Sequence, residues 1–190
     1  MKVELLNITD DALNFIGKCA SICYDSDTSS VEKNVKRAVH CANAGHLATL
    51  RFAHATFKVS NISRICSHQF VRSKHLDFLQ RSQRYCKEEK AQMINPIFGE
   101  MYCEVFEECY KRALENYNWL ISHGIKKEDA RFVLPQGTTT ELIVTGNLQA
   151  WMDFINLRAT KEAQWEIREV AIEINNQLAQ KLPELFKEMK

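Results

Sequence analysis

Between residues 98 and 122 apolar side chains return at every third or fourth position: Phe98, Met101, Val105, Cys109, Ala113, Tyr117 and Leu120. An α-helix brings such a series onto one face, and the run is long enough for about seven turns. The stripe is expected to face the core rather than a cofactor. A chain of 190 residues holding one helix of this size has room for one domain with one core, over residues 1–190. Two independent domains would be cramped.

Shorter signals fill in the remainder. Residues 3–8 read as a strand, and Asp10 or Asp11 is placed to cap a helix carrying Leu13, Phe15, Ile16 and Ile22. Ser29 to Glu32 fits a capping box, and Gly45 is placed to stop the helix that carries Val31, Val35, Val39 and Ala42. Along residues 52–59, Ala53, Ala55, Phe57 and Val59 alternate with Phe52, His54, Thr56 and Lys58, as in a strand. The β-branched run 138–145 suits another strand. Asn147 is placed to cap a helix carrying Trp151, Phe154 and Ile155, while Ile167, Val170, Ala171, Ile174 and Leu178 mark a last helix. With no repeat or linker between these signals, the expected fold is mixed α/β (α+β).

Hydrophobic residues make up 45% and charged residues 26%, with a net charge of +1, so no global field points to a nucleic-acid partner. No segment approaches the roughly 18 apolar residues of a membrane span, and residues 1–6 lack a signal-peptide pattern. Seven cysteines without a Cys-x-x-Cys pair suit reduced thiols, and a cytoplasmic location is expected. No cluster has metal-ligand spacing and no glycine-rich loop has a dinucleotide or Walker pattern.

Charge is nevertheless concentrated. Residues 58–87 contain Lys58, Arg64, Arg72, Lys74, Arg81, Arg84 and Lys87 against the single acid Asp77, as expected where an anion such as a phosphate docks. If 62–72 is helical, Arg64, His68 and Arg72 lie on one face, with Gln69 one turn before Arg72. The stretch 79–85, Leu-Gln-Arg-Ser-Gln-Arg-Tyr, crowds guanidinium, hydroxyl and amide groups suited to a phosphate and a base edge.

This run, Ile62-Ser-Arg-Ile-Cys-Ser-His-Gln-Phe-Val-Arg72 followed by Ser82-Gln-Arg-Tyr85, resembles the signature of the flavin-dependent thymidylate synthases: Arg-His-Arg, seven residues, Ser, then Arg two positions on. The chain has Arg72-Ser73-Lys74, seven residues, then Ser82 and Arg84. A second block is similar to the family's C-terminal half in order and spacing: Ala130-Arg131-Phe-Val-Leu-Pro135, Thr145-Gly-Asn147, Asn156-Leu-Arg158 and Ala163-Gln-Trp-Glu-Ile-Arg168. The resemblance spans roughly residues 22–178.

The resemblance implies a central, largely antiparallel sheet flanked by long helices, and a methyltransferase converting dUMP to dTMP. Methylenetetrahydrofolate would give the carbon, reduced FAD the hydride, and NADPH would regenerate the flavin. It also implies a homotetramer with shared active sites; the near-neutral net charge and the lack of a long apolar segment lead to the expectation of no nucleic-acid and no membrane partner. On the same ground Gln69, Arg72, Gln80, Ser82, Gln83, Arg84, Arg131 and Arg158 fall at substrate-binding positions. Arg158 would face the uracil as the catalytic charge. Arg72, Ser73, Lys74, Asn147, Asp153 and Glu162 fall at flavin positions, and no cysteine needs to attack the ring.

The chain departs from the family on the flavin or folate side. Ser73 and Lys74 replace the signature His and Arg, Phe52 and Arg51 stand where His and Glu are usual, and Ser21 where Arg is frequent. Asp153 and Glu162 bring carboxylates where neutral or basic residues are commoner. His54 and His75 lie near the expected site and read as ordinary strand and loop histidines. Two alternatives stay open: a dUMP-binding relative with altered cofactor chemistry or no turnover, and a nucleic-acid surface on the basic segment.

Overall fold

The structure, a computed structural model, describes residues 1–96 and 100–189, with the side chains of residues 100–102 outside the description. Strands β1 (Lys2–Ile8), β2 (His54–Ser63), β3 (Leu76–Gln80) and β4 (Thr139–Asn147) form one sheet in the order β1-β2-β4-β3, every neighbouring pair antiparallel. Their alternation decides which face is covered. Ala55, Phe57 and Val59 of β2 and Leu142 and Val144 of β4 are buried, whereas Ile143 and Leu79 point to the open face, Leu79 at 75% exposure.

Seven α-helices accompany the sheet among the described residues: α1 (Ala12–Ser21), α2 (Val31–Asn43), α3 (Arg64–Phe70), α4 (Glu100–Ser122), the single turn α5 (Lys127–Ala130), α6 (Leu148–Arg158) and α7 (Trp165–Lys181). The expected antiparallel sheet with flanking helices is what forms. Aromatic side chains knit α3 and α6 to the covered face. Trp151 meets Phe57 edge-on at 5.0 Å and its indole N–H donates to the Ala55 carbonyl at 3.0 Å, while Phe70 stacks on Phe154 at 4.6 Å. Burying each such ring contributes about 1.5–3 kcal/mol, and the hydrogen bond satisfies the indole.

The apolar stripe of α7, Ile167, Val170, Ala171, Ile174 and Leu178, is fully buried. Its Gln177 amide accepts from Leu5 N–H (2.9 Å) and donates to the Val3 carbonyl (2.8 Å), completing the edge of β1 much as another strand would. Helices α1 and α2 cross closely at Gly17, where an added Cβ would stand 1.9 Å from the Asn34 carbonyl oxygen. Backbone cannot yield as a flexible side chain does. Gly17→Ala is therefore expected to destabilise the fold by at least about 2 kcal/mol, read as a lowered denaturation midpoint with unchanged m-value.

Several local expectations need correction. The helix begun at Asp11 ends at Ser21, so Ile22 falls in a 3₁₀ turn and is 81% exposed; Phe15 is exposed too. Ser30, not Ser29, caps α2 by accepting from Lys33 N–H, and Gly45 at φ +80° closes that helix, with His46 N–H reaching the Cys41 carbonyl. The strand read at residue 52 begins at His54 and runs to Ser63, because Ile62 and Ser63 pair with Thr140 and Thr139 beyond a bulge at Asn61, φ +56°. Helix α3 is accordingly shorter than 62–72, and Arg72 lies in the turn beyond it.

Among the described residues the stripe of α4 is mostly not core. Tyr117 is buried, but Val105 is 59% exposed and Cys109 is exposed, because α4 packs on α5 and the following 3₁₀ turn rather than on the sheet. Phe98 and the Met101 side chain lie outside the described residues. No described helix is long and apolar enough to cross a membrane.

Candidate functional site

The junction of β2 and α3 fixes the site. Ser63 Oγ caps α3 by accepting from Cys66 N–H (3.0 Å). The Glu166 carboxylate, 3% exposed in the first turn of α7, in turn accepts from Ser63 N–H (2.6 Å) and Ser63 Oγ–H (2.5 Å). Backbone bonds from Arg64 N–H to Thr138 and from Ile65 N–H to Gln136 tie the same turn to the chain entering β4. So anchored, α3 presents Arg64, Ser67 and His68 to a cavity of about 450 Å³, whose other walls include Gln80, Gln83, Arg131 and Pro135.

This cavity has a cationic wall. Arg131 is oriented by its Nε–H bond to the Glu128 carbonyl (3.0 Å). Arg64 has a buried Nη1 with no hydrogen-bond partner, and burial followed by the nearby Arg131 guanidinium lowers its pKa, with Glu88 acting the opposite way. Two neighbouring guanidinium groups repel, which Glu88 offsets on the Arg64 side, and an anion seated between them would relieve both the repulsion and the buried unpartnered nitrogen. Polar readout lies beside them: Gln80 Nε2 donates to Ser67 Oγ (2.9 Å) and Thr140 Oγ1 (3.2 Å), which leaves the amide oxygen as its acceptor.

A buried network backs this wall. Glu88, 3% exposed, pairs with Arg81, and its N–H donates to the Tyr117 hydroxyl at 3.1 Å. Burial raises the Glu88 carboxyl above the usual range, opposed by Arg81 and Arg64. The buried Tyr110 hydroxyl, unpartnered, is pushed up to about 12 by burial and by Glu88. Cys66 is buried and its thiol is pushed well up, by burial first and then by Glu166, against Arg158. It is no thiolate nucleophile at neutral pH.

Of the residues singled out from sequence, Gln80, Gln83 and Arg131 line the cavity together. Ser82 shapes the turn that follows β3: its Oγ accepts from Arg84 N–H at 3.2 Å and its carbonyl from Cys86 N–H. Arg84 points elsewhere, pairing with Glu128 at 3.0 Å and lying 5.8 Å over the Tyr85 ring. The Gln69 carbonyl accepts from Arg158 Nη2 at 3.4 Å, and Arg158 Nε is buried without a partner. Arg72 and Lys74 are exposed, Ser73 Oγ is buried without a partner, and Glu162 is exposed between α6 and α7.

Asn147 and Asp153 line a different hollow, of about 160 Å³, with Arg51, His75 and Gln149. Asn147 caps α6 as expected, its Oδ1 accepting from Ala150 N–H (2.9 Å). Gln80 pairs opposite Leu142 and Leu76 opposite Gly146, so the two hollows lie toward opposite ends of β3, with Val71 lining one and His75 the other. The expected single face of Arg64, His68 and Arg72 is thus reduced to Arg64 and His68. Arg64 and His68 line the cavity as their four-residue spacing in the basic segment suggests, whereas Ser67 carries no such sequence signal. Among the described residues no group of three or more His, Cys, Asp or Glu could hold a metal ion.

The family described as thymidylate synthase complementing protein matches residues 4–184. Flavin-dependent thymidylate synthases from three organisms are similar over most of the chain. That of Pyrococcus furiosus is 35% identical over 95% of this chain and 80% of its own length. The Geobacter sulfurreducens protein is 32% identical over 99% and 86%, and the Mycolicibacterium vanbaalenii protein 31% over 92% and 77%.

Proposed function

This chain belongs to the family of flavin-dependent thymidylate synthases, and from that premise we propose that it methylates dUMP to dTMP, with methylenetetrahydrofolate as carbon donor and FAD, reduced by NADPH, as hydride source. The paired Arg64 and Arg131 guanidinium groups carry the reading. A mononucleotide's phosphate is a dianion of the size and charge that this wall lacks. Gln80 and Gln83 beside it offer neutral amides to the sugar and base. Arg158 holds a fixed charge that, set against the uracil, favours the enolate-like form.

FAD, when bound, supplies the hydride. Ser73, Lys74, Asn147 and Asp153 fit its polar parts: the Ser73 hydroxyl is buried and unpartnered, and Asn147 keeps its amide N–H groups after capping α6. Arg72 and Glu162 are the remaining flavin candidates, both exposed. The two hollows are distinct, which agrees with a shared site, in which the nucleotide cavity of one protomer would meet the flavin residues of another in a homotetramer. The enzyme would act in the cytoplasm. A dUMP-binding relative without turnover is the less supported reading, since the similar proteins are synthases by name.

Calorimetric titration tests the anion site. Wild-type protein should bind dUMP at least about 100-fold more tightly than deoxyuridine, and Arg131→Ala or Arg64→Ala should each cost roughly tenfold or more for dUMP alone. Equal affinity for the two ligands would remove the phosphate from the account.

A further inference from the structure

The hollow at the Asn147 end contains a cation assigned to no role so far. Arg51 closes the 3₁₀ turn Leu47–Phe52, and its Nε–H donates to Gln149 Oε1 at 2.6 Å, across 98 positions of sequence. Gln149 sits in the first turn of α6, so this bond sets the plane of the guanidinium against that helix. Its two Nη groups make no hydrogen bond or ion pair among the described residues, and the exposed Arg51 lines the hollow. An arginine held by one edge and open at the other presents a prearranged fork to an incoming oxyanion.

The rest of the lining has different chemistry. Asp153 lies one turn beyond Gln149 on α6, exposed and without a partner among the described residues, with the Asn147 amide and His75 nearby. His75, at φ +63°, opens β3 in a backbone conformation that costs energy outside glycine, so the loop delivering it is held by its surroundings. A simple anion would meet the Asp153 carboxylate, and a simple cation would meet Arg51. A phosphorylated polyol answers both, with phosphoryl oxygens at the fork and hydroxyl donors at the carboxylate.

We propose that Arg51 anchors a phosphate of the flavin dinucleotide in this chain, with Asp153 accepting from the sugar-alcohol hydroxyls beside it. The inference rests on the flavin-dependent reading above and adds to it the residue that compensates for the carboxylate at position 153. Among the other candidates at this end, Ser73 is neutral and Lys74 is not among the residues lining the hollow, whereas Arg51 lines it and is held by Gln149. Arg51 thereby decides whether a phosphorylated flavin is preferred over a bare one.

The test is titration of wild type, Arg51→Gln and Arg51→Glu with FAD and with riboflavin, followed by flavin fluorescence. The Kd for FAD should rise about tenfold in Arg51→Gln and further in Arg51→Glu, while the Kd for riboflavin stays within about twofold. Unchanged dUMP affinity in both variants, measured by calorimetry, would show an intact nucleotide cavity. FAD affinity within about twofold of wild type in both variants, or an equal loss for riboflavin, would overturn the role of Arg51. Failure of wild type itself to bind FAD would instead overturn the flavin reading.

Discussion

Arg158→Ala is expected to lower kcat for dTMP formation by roughly 10²–10³-fold, with a much smaller change in KM. The side chain ends α6, its Nη2 is held by a long 3.4 Å bond to the Gln69 carbonyl, and its Nε is buried without a partner. A desolvated guanidinium with spare donors stabilises developing negative charge more strongly than one in water, and the gain appears in the transition state. Arg158→Lys keeps the charge but loses the planar fork, so it should recover only part of the rate. Steady-state kinetics decide the matter. A kcat for Arg158→Ala within about twofold of wild type would show that the charge does not serve the chemistry.

Glu166→Ala should cost roughly 3 kcal/mol of stability, because the carboxylate accepts two short bonds from Ser63 in a buried place and its loss strands both donors. For a chain of this size the melting temperature should fall by about 6–12 °C. The effect should reach the site as well. Ser63 caps α3, and α3 carries Arg64 and His68 into the cavity, so dUMP affinity of the folded variant should also fall. Glu166→Gln keeps one acceptor while turning an amide donor toward the Ser63 donors, and an intermediate loss is expected. Thermal melts together with titration well below the transition separate the two effects. A melting temperature unchanged in Glu166→Ala would refute the role given to this contact.

What was legible in the sequence follows from how local each signal is. Helix α7 was readable because its five apolar positions face one core, and β4 because a β-branched run stands between a proline and an asparagine cap. Strand β3 was not: five residues on a sheet edge, with Leu79 on the open face, leave no apolar alternation to detect. The length of α3 depends on the bulge at Asn61 and on pairing with residues 139 and 140, far away in sequence. Periodicity announced α4, but a period cannot say whether its stripe meets a core, and of its described positions only Tyr117 is buried.

The same limit applies to the site. Motif spacing located Gln80, Gln83 and Arg131, which one chain brings to a single cavity. It gave no sign that Asn147 and Asp153 would stand at the other end of β4, since a linear pattern carries no distances. Arg64 is legible as part of a cationic helix face, but its closeness to Arg131 and its buried, unpartnered nitrogen are not. Arg51 was noted only as a departure, and its significance came from the bond to Gln149.

Product analysis is the most direct measurement of the central claim, because the source of the hydride fixes the fate of the folate. When the flavin supplies it, methylenetetrahydrofolate gives up only its one-carbon unit and tetrahydrofolate remains. Purified protein supplied with dUMP, methylenetetrahydrofolate, NADPH and FAD should form dTMP and tetrahydrofolate in equal amounts, and formation should stop when FAD is withheld from flavin-free protein. Dihydrofolate as the companion product, or the absence of dTMP under these conditions, would contradict the account.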